Sequence, residues 1–248
     1  MATATLDKVH LPVPVLEYPH WRVHFQPDHY IEDRISSLSR CVQLVEQCKV
    51  LLRGWDFPHL SREQEEQEFG NNYLASWASF LGIEYWRFYQ SGQFLHLNAI
   101  EEVVRSDWRK SLEQAAQFHL RGSQTDWEKV PGYLSIANVL YRITEIFEFA
   151  ARLSEKGVYD GQLEIAIELR RVKGFLLMTD VSRSWHMRCA SDSDDLRKSW
   201  TVAVPTLIAD KSGLALRAAV WFFERFHWLN PPLESLRREQ HTFLRGLV

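Results

Sequence analysis

Residues 84–98 read EYWRFYQSGQFLHLN, two aromatic-rich runs that alternate on either side of a Ser-Gly pair. This stretch constrains the fold strongly, because strand side chains alternate between faces and a hairpin locks two alternations together. Glycine tolerates the positive φ of a tight turn, so Ser91-Gly92 predicts a two-residue turn. Gln90 then pairs with Gln93, and every pair beyond it follows. Phe88 faces Leu95 and Trp86 faces Leu97, an apolar side suited to a core. The other side collects Tyr85, Arg87, Tyr89, Phe94, His96 and Asn98.

Other segments supply a sheet and helices around this hairpin. In WRVHFQP, Trp21, Val23 and Phe25 alternate with Arg22, His24 and Gln26, a half-buried strand closed by Pro27. Asp28 is placed to cap a helix carrying Ile31, Ile35, Leu38, Val42 and Val45 at helical spacing. VLLRGW reads as a second strand ending near Asp56, SREQEEQEFGNN as a polar loop, and NYLASWASF as the strand before the hairpin. The first half is thus β-α-β-β-β, an antiparallel or mixed sheet with a packed helix.

A helical patch near Ser106–Leu120 and a loop through Pro131 lead into the second half. There a long helix over Leu134–Leu153 precedes QLEIAIELRRVKGFLLM, whose first part alternates as a strand. SWTVAVP is a further strand, and Asp210 or Ser212 would cap a buried helix from Leu214 to Leu229, stopped by Pro231-Pro232. A short basic segment with Arg237, Arg238 and Arg245 ends the chain. The expected class is α+β, with halves at 1–125 and 126–248 or one continuous domain.

The formal charge of −3 excludes a generally basic nucleic-acid protein but leaves room for a local basic face. The three cysteines match no disulfide or metal framework, and Cys41 and Cys48, seven apart on one helix, are too distant to bridge. A reducing cytoplasm is expected. MATATLDKVHLPVPVLEYP lacks the form of a secretory signal and suggests an extended arm. LALRAAVWFFERFHWL is too short and too charged to span a bilayer, so no membrane association is expected.

The polar-aromatic side of the hairpin is the leading candidate site, with Arg22, His24 and Arg53 adjoining. Aromatics interleaved with cations stack planar groups and reach phosphates. They also dominate protein interfaces. An internal seam under the second half, with aliphatic stems packed and tips wet, is the structural alternative.

Candidate chemistry is sparse. Asp56 and His59 in GWDFPH would form an acid–base pair if the turn joins them, although Gly54 and Pro58 suit a purely structural bend. His186 and Cys189 are the nearest approach to a Cys–His pair. Asp180, Arg183, Arg188 and the SDSDD run fit a polar site between strands or equally a solvated loop, and Glu63, Glu65, Glu66 and Glu68 read as a solvated acidic loop in preference to a metal site. His20 and His24, about 13 Å apart along a strand, cannot share a metal ion. No phosphate loop, dinucleotide turn, metalloprotease helix or nucleophile elbow occurs in useful context. No cofactor is expected.

The phrases LRGWDFPH, YWRFYQSGQF and LYRITEIFEFAARL, followed by LEIAIEL, resemble an uncharacterised bacterial domain. In some chains that domain is associated with an AlbA/Schlafen-like nucleic-acid- or ATP-binding domain. The resemblance covers roughly residues 18–230 and transfers no catalytic residue. It implies a stand-alone sensor or accessory subunit in a defence or regulatory context. The leading expectation is a non-catalytic module that binds a protein partner. A nucleic-acid or nucleotide binder using the same face, and an enzyme at Asp56/His59 or His186/Cys189, are the alternatives.

Overall fold

The computed structural model describes residues 10–80, 82–123 and 125–247. The first strand, β1 (His20–Pro27), is followed by helix α1 (Leu38–Cys48) and two short strands, β2 (Val50–Leu51) and β3 (Asp56–Phe57). Strands β4 (Gln67–Phe69), β5 (Tyr73–Ala78), β6 (Glu84–Tyr89) and β7 (Phe94–Ala99) come next, then helices α2 (Glu101–Val104) and α3 (Ser106–His119). The second half runs β8 (Tyr133–Ser135), α4 (Ile136–Glu155), β9 (Gln162–Arg170), β10 (Leu176–Met178), β11 (Cys189–Ala190), β12 (Leu196–Ala203), α5 (Val204–Arg225) and α6 (Leu233–Leu244). The protein is α+β, as its alternating and helical patterns predict.

Seven strands form one antiparallel sheet in the order β12-β9-β1-β7-β6-β5-β4, so strands from both halves share it. The odd residues of β1 face the helices. Phe25 and Phe94 pack on Phe149 of α4 with ring centroids 6.2 and 5.1 Å apart, and Trp21 meets Phe222 of α5 at 5.7 Å. This face is the main core. On the other face, Leu11, Val13 and Val15 of the arm cluster with Ala75, Tyr85, Leu97 and Ala99. The arm's positions 1–9 lie outside the described residues.

The hairpin differs from expectation by one residue. Tyr89 N–H donates to Gln93 O and Gly92 N–H to Tyr89 O, both at 2.9 Å, which closes a three-residue loop of Gln90, Ser91 and Gly92. Gly92 sits at φ +82°, the left-handed position that follows a turn in such loops. The pairs become Phe88–Phe94, Arg87–Leu95, Trp86–His96 and Tyr85–Leu97. A slip of one residue sends all of β7 to the opposite face.

Helix boundaries differ from expectation at α1, α5 and α6. Asp28 does not cap α1; its carboxylate accepts the N–H of Gln162 at 3.1 Å, and Ser37 Oγ caps instead by accepting Arg40 N–H at 3.1 Å. The helix expected to begin at Leu214 starts at Val204, with proline in its first turn. Asp210 is a kink inside it, at φ −132°. The basic C-terminal segment is helical, because Leu236 and Phe243 give α6 an apolar side to bury. Among the described residues no helix is long and apolar enough to cross a membrane.

Candidate functional site

The one-residue slip divides the residues singled out in the hairpin. Phe94, His96 and Asn98 turn into the core beside Glu84, Trp86 and Phe88, and all three are buried. Tyr85, Arg87 and Tyr89 remain on the helix-free face, together with Arg22 and His24 of β1. Their neighbours across the sheet are leucines: Leu95 lies between His24 and Arg87, and Leu97 between Arg22 and Tyr85. The expected six-residue polar-aromatic surface therefore does not form.

What stays open on that face is narrower. The arm buries Tyr85 completely. Arg87 lies 4.4 Å from the Tyr73 ring centroid, donates to the Tyr85 hydroxyl and sits 4.0 Å from Glu68. Tyr73 and Tyr89 rings are 5.6 Å apart. Arg22, His24, Gln26, Arg87, Tyr89 and Gln93 are each half-buried. Burial, and next the charge of Arg22, hold the His24 imidazole below its ordinary value, so it is neutral at pH 7.

Arg53 lies far from this strip. Its Nε and Nη2 donate to the two oxygens of Glu145 at 3.0 and 3.1 Å, and its Nη1 to Asn138 Oδ1 at 3.3 Å. Burial opposes the guanidinium charge, but Glu145 and then Glu101 outweigh it and raise its pKa. Arg142 completes the cluster, bonded to Glu101 at 2.8 Å and to Glu145 at 3.1 Å. Two arginines meet two glutamates across the β2–β3 loop, α2 and α4.

Beside this cluster is a cleft of about 250 Å³ lined by Glu102, Trp108, Ser111, Leu112, Ser135 and Asn138. Ser135 N–H and Asn138 Nδ2 both donate to Glu102 Oε1 at 3.0 Å. Burial, and then the neighbouring Glu101, push the Glu102 carboxyl above its ordinary pKa. No motif in the sequence marks this cleft. The only available signal was adjacent glutamates ahead of the Ser106–Leu120 helical patch.

The GWDFPH turn does join Asp56 and His59. His59 Nδ1–H donates to Asp56 Oδ1 at 2.5 Å, and Lys49 Nζ is 3.2 Å from the other oxygen. Trp55 stacks on the imidazole at 3.9 Å. The rest of the segment is tied to Glu84, whose Oε1 accepts His59 N–H at 3.0 Å and His96 Nε2–H at 2.8 Å while Oε2 accepts Trp55 Nε1–H at 3.1 Å. Burial would raise the Glu84 pKa, but His96 and these donors lower it. Burial holds His96 below its ordinary value. The other ring nitrogen, His96 Nδ1, is buried without a partner. An Asp-oriented histidine suits proton transfer, yet no hydroxyl or thiol bonds His59 Nε2 among the described residues. The Asp56–His59 contact also ties the two ends of the GWDFPH turn together.

Its pH dependence follows from two shifts. Burial opposes both charges, but the mutual hydrogen bond and attraction raise His59 and lower Asp56. The His59 contribution is full below about pH 6.5 and fades as pH rises through its raised value. That of Asp56 is full above about pH 4 and fades as pH falls through its lowered value. A double-mutant cycle of Asp56→Asn and His59→Gln is expected to give a coupling of about 1.5–3 kcal/mol between those limits. At pH 9 the coupling should be smaller. A pH-independent coupling would show that the histidine is not charged.

His186 and Cys189 do not form a nucleophilic pair. Cys189 is buried in β11, where desolvation pushes its thiol up to about 11, and His186 is exposed with no bond to it. Asp180 accepts the Ser182 N–H at 2.8 Å and pairs with Arg183 at the surface. Among the described residues no group of three histidine, cysteine or acidic side chains is placed to hold a metal ion. No family model, curated protein or solved structure matches the chain.

Proposed function

We propose that the protein is a non-catalytic binding module that takes a protein partner on the helix-free face of its seven-stranded sheet. The observation that carries this reading is the strip left open beside the arm. It is formed by Arg22, His24 and Gln26 on β1, Gln93 ahead of β7, and Arg87 and Tyr89 on β6. β1 and β6 are two strands apart, so the strip is about 10 Å wide. Leu95, 3% exposed, is its floor. Arg22 makes no ion pair among the described residues, and Tyr89 and Tyr73 offer flat apolar area with polar tips. Arginine and tyrosine on a dry floor are the composition of interface hot spots. Glu164 and Glu168 lie on the same face in register with Gln26 and Arg22. With Glu168 paired to Arg170 and Arg197, the face mixes both signs of charge, which suits a mixed-charge protein surface better than a uniformly anionic phosphate backbone.

The buried free thiols Cys41, Cys48 and Cys189 support a reducing cytoplasmic setting. The resemblance carried by LRGWDFPH and YWRFYQSGQF supports a role as sensor or accessory subunit in a bacterial defence or regulatory assembly.

Arg22→Glu and Tyr89→Ala are each expected to weaken partner binding by about 2 kcal/mol or more. Stability should stay within about 1 kcal/mol of wild type, because neither side chain is sealed. The check is crosslinking from position 24, followed by titration of the captured partner with both variants. Unchanged affinity in both would overturn the reading. A partner whose affinity falls roughly a thousandfold between 50 and 200 mM salt would replace it with nucleic-acid binding.

A further inference from the structure

Independently of the sheet face, we infer that the cleft between α2, α3 and the start of α4 is a binding site for a small, flat organic cation with paired N–H donors, such as an amidinium or guanidinium. Four observations carry this. Charge is the first. Glu101 and Glu145 are matched by Arg53 and Arg142, with all the closest contacts at 2.8–3.1 Å, so Glu102 is the surplus acid of the cluster. Geometry is the second. Oε1 of Glu102 receives both hydrogen bonds at the α4 N-terminus, while no other described residue donates to Oε2; the remaining polar contact of this carboxyl is with its own backbone N–H.

Third, the Glu102 residue is only 4% exposed yet lines the cleft. A buried acceptor in that position gains most from a donor that brings its own charge. Fourth, the walls suit a flat cation. Trp108 supplies an indole that already carries the Arg105 guanidinium 4.5 Å from its centroid, Leu112 an apolar patch, and Ser111 a hydroxyl at the exposed mouth. At about 250 Å³ the space takes a single ring with its head group, not a nucleotide.

Charged groups facing Glu102 are Glu101 on its own helix, Arg53 from the β2–β3 loop, Asn138-bonded within the cluster, Arg142 and Glu145 on α4, and Arg105 at the start of α3. The last four pair with one another or with Asp107. Binding of a cation therefore follows ionisation of Glu102 and tightens as pH rises through its raised value.

Calorimetric titration of the full chain with benzamidine tests this, with benzamide as the neutral isostere. Wild type is expected to bind benzamidine with a Kd of roughly millimolar order and benzamide at least tenfold more weakly. Affinity for benzamidine should rise between about pH 5 and 8. Glu102→Gln keeps an oxygen for Ser135 and Asn138, so it should fold and lose at least tenfold. Ser111→Trp fills the mouth from an exposed position and should abolish binding without touching the floor. Equal affinity for the two probes, an unaffected Glu102→Gln, or no saturable binding by folded wild type would each overturn the assignment.

Discussion

Glu145→Ala is expected to lower stability by about 3–5 kcal/mol, the usual cost of removing one partner from a buried ion pair. Glu145 is buried in the middle of α4 and receives three contacts from two arginines, Arg142 buried and Arg53 half-buried. Its removal leaves Arg53 with only Asn138 and a 3.8 Å approach to Glu101. Arg142 keeps Glu101 and a place 5.3 Å from the Phe57 ring. For a chain of this length the loss corresponds to a fall in Tm of roughly 6–20 °C. Arg53→Met combined with Glu145→Met removes both charges of the bidentate pair and should recover part of the loss, since apolar replacements of similar volume pack where ions did. A loss under about 1 kcal/mol for Glu145→Ala would mean that water enters the cluster readily.

Glu84→Ala is expected to cost a similar 3–5 kcal/mol, for a different reason. One carboxylate there serves three donors: Trp55 Nε1, the His59 backbone N–H and His96 Nε2. None has a second acceptor among the described residues, and each orphaned buried donor costs about 1–3 kcal/mol. Glu84→Gln should be intermediate, because its amide oxygen replaces one acceptor while its NH2 confronts a donor. Chemical denaturation measures the loss, and hydrogen exchange locates it. Residues 50–60 should lose protection first, since Glu84 is what ties the Trp55–His59 segment to β6. Protection of that segment at the wild-type level would show that Trp86 Nε1, bonded to the His59 carbonyl at 2.6 Å, holds it alone.

These two networks explain why the sequence told more about folding than about the site. The parity of residues within a strand was legible. Trp21, Val23 and Phe25 face the core as their alternation predicts, and so do Leu163, Ile165, Ile167 and Leu169. The long apolar run of α4 was legible too. Arg53, however, is a lone arginine after two leucines, and its partner is 92 residues away. Glu102 looks like one of two surface glutamates until Ser135 and Asn138 arrive from α4. His59 meets Asp56 as their spacing of three in a turn allowed, a local relation that sequence does carry.

Alternation is a property of one chain segment, set by the stereochemistry of successive residues, and so the sequence by itself determined which residues of each strand share a face. Which strand face meets which depends on the register between strands. In this hairpin that rests on one residue: Gln90 enters the loop with Ser91 and Gly92 instead of pairing with Gln93. The choice is made by the core. With Phe94 on Phe25 and Phe149, and with His96 on Glu84, the three-residue loop buries an aromatic and satisfies a carboxylate. The two-residue loop would have left Phe94 and His96 on the helix-free face and turned Leu95 and Leu97 into the core, with no imidazole for Glu84. Only the tertiary structure decides between them, because the energies that differ belong to contacts with α4, β1 and the GWDFPH turn, not to the turn residues.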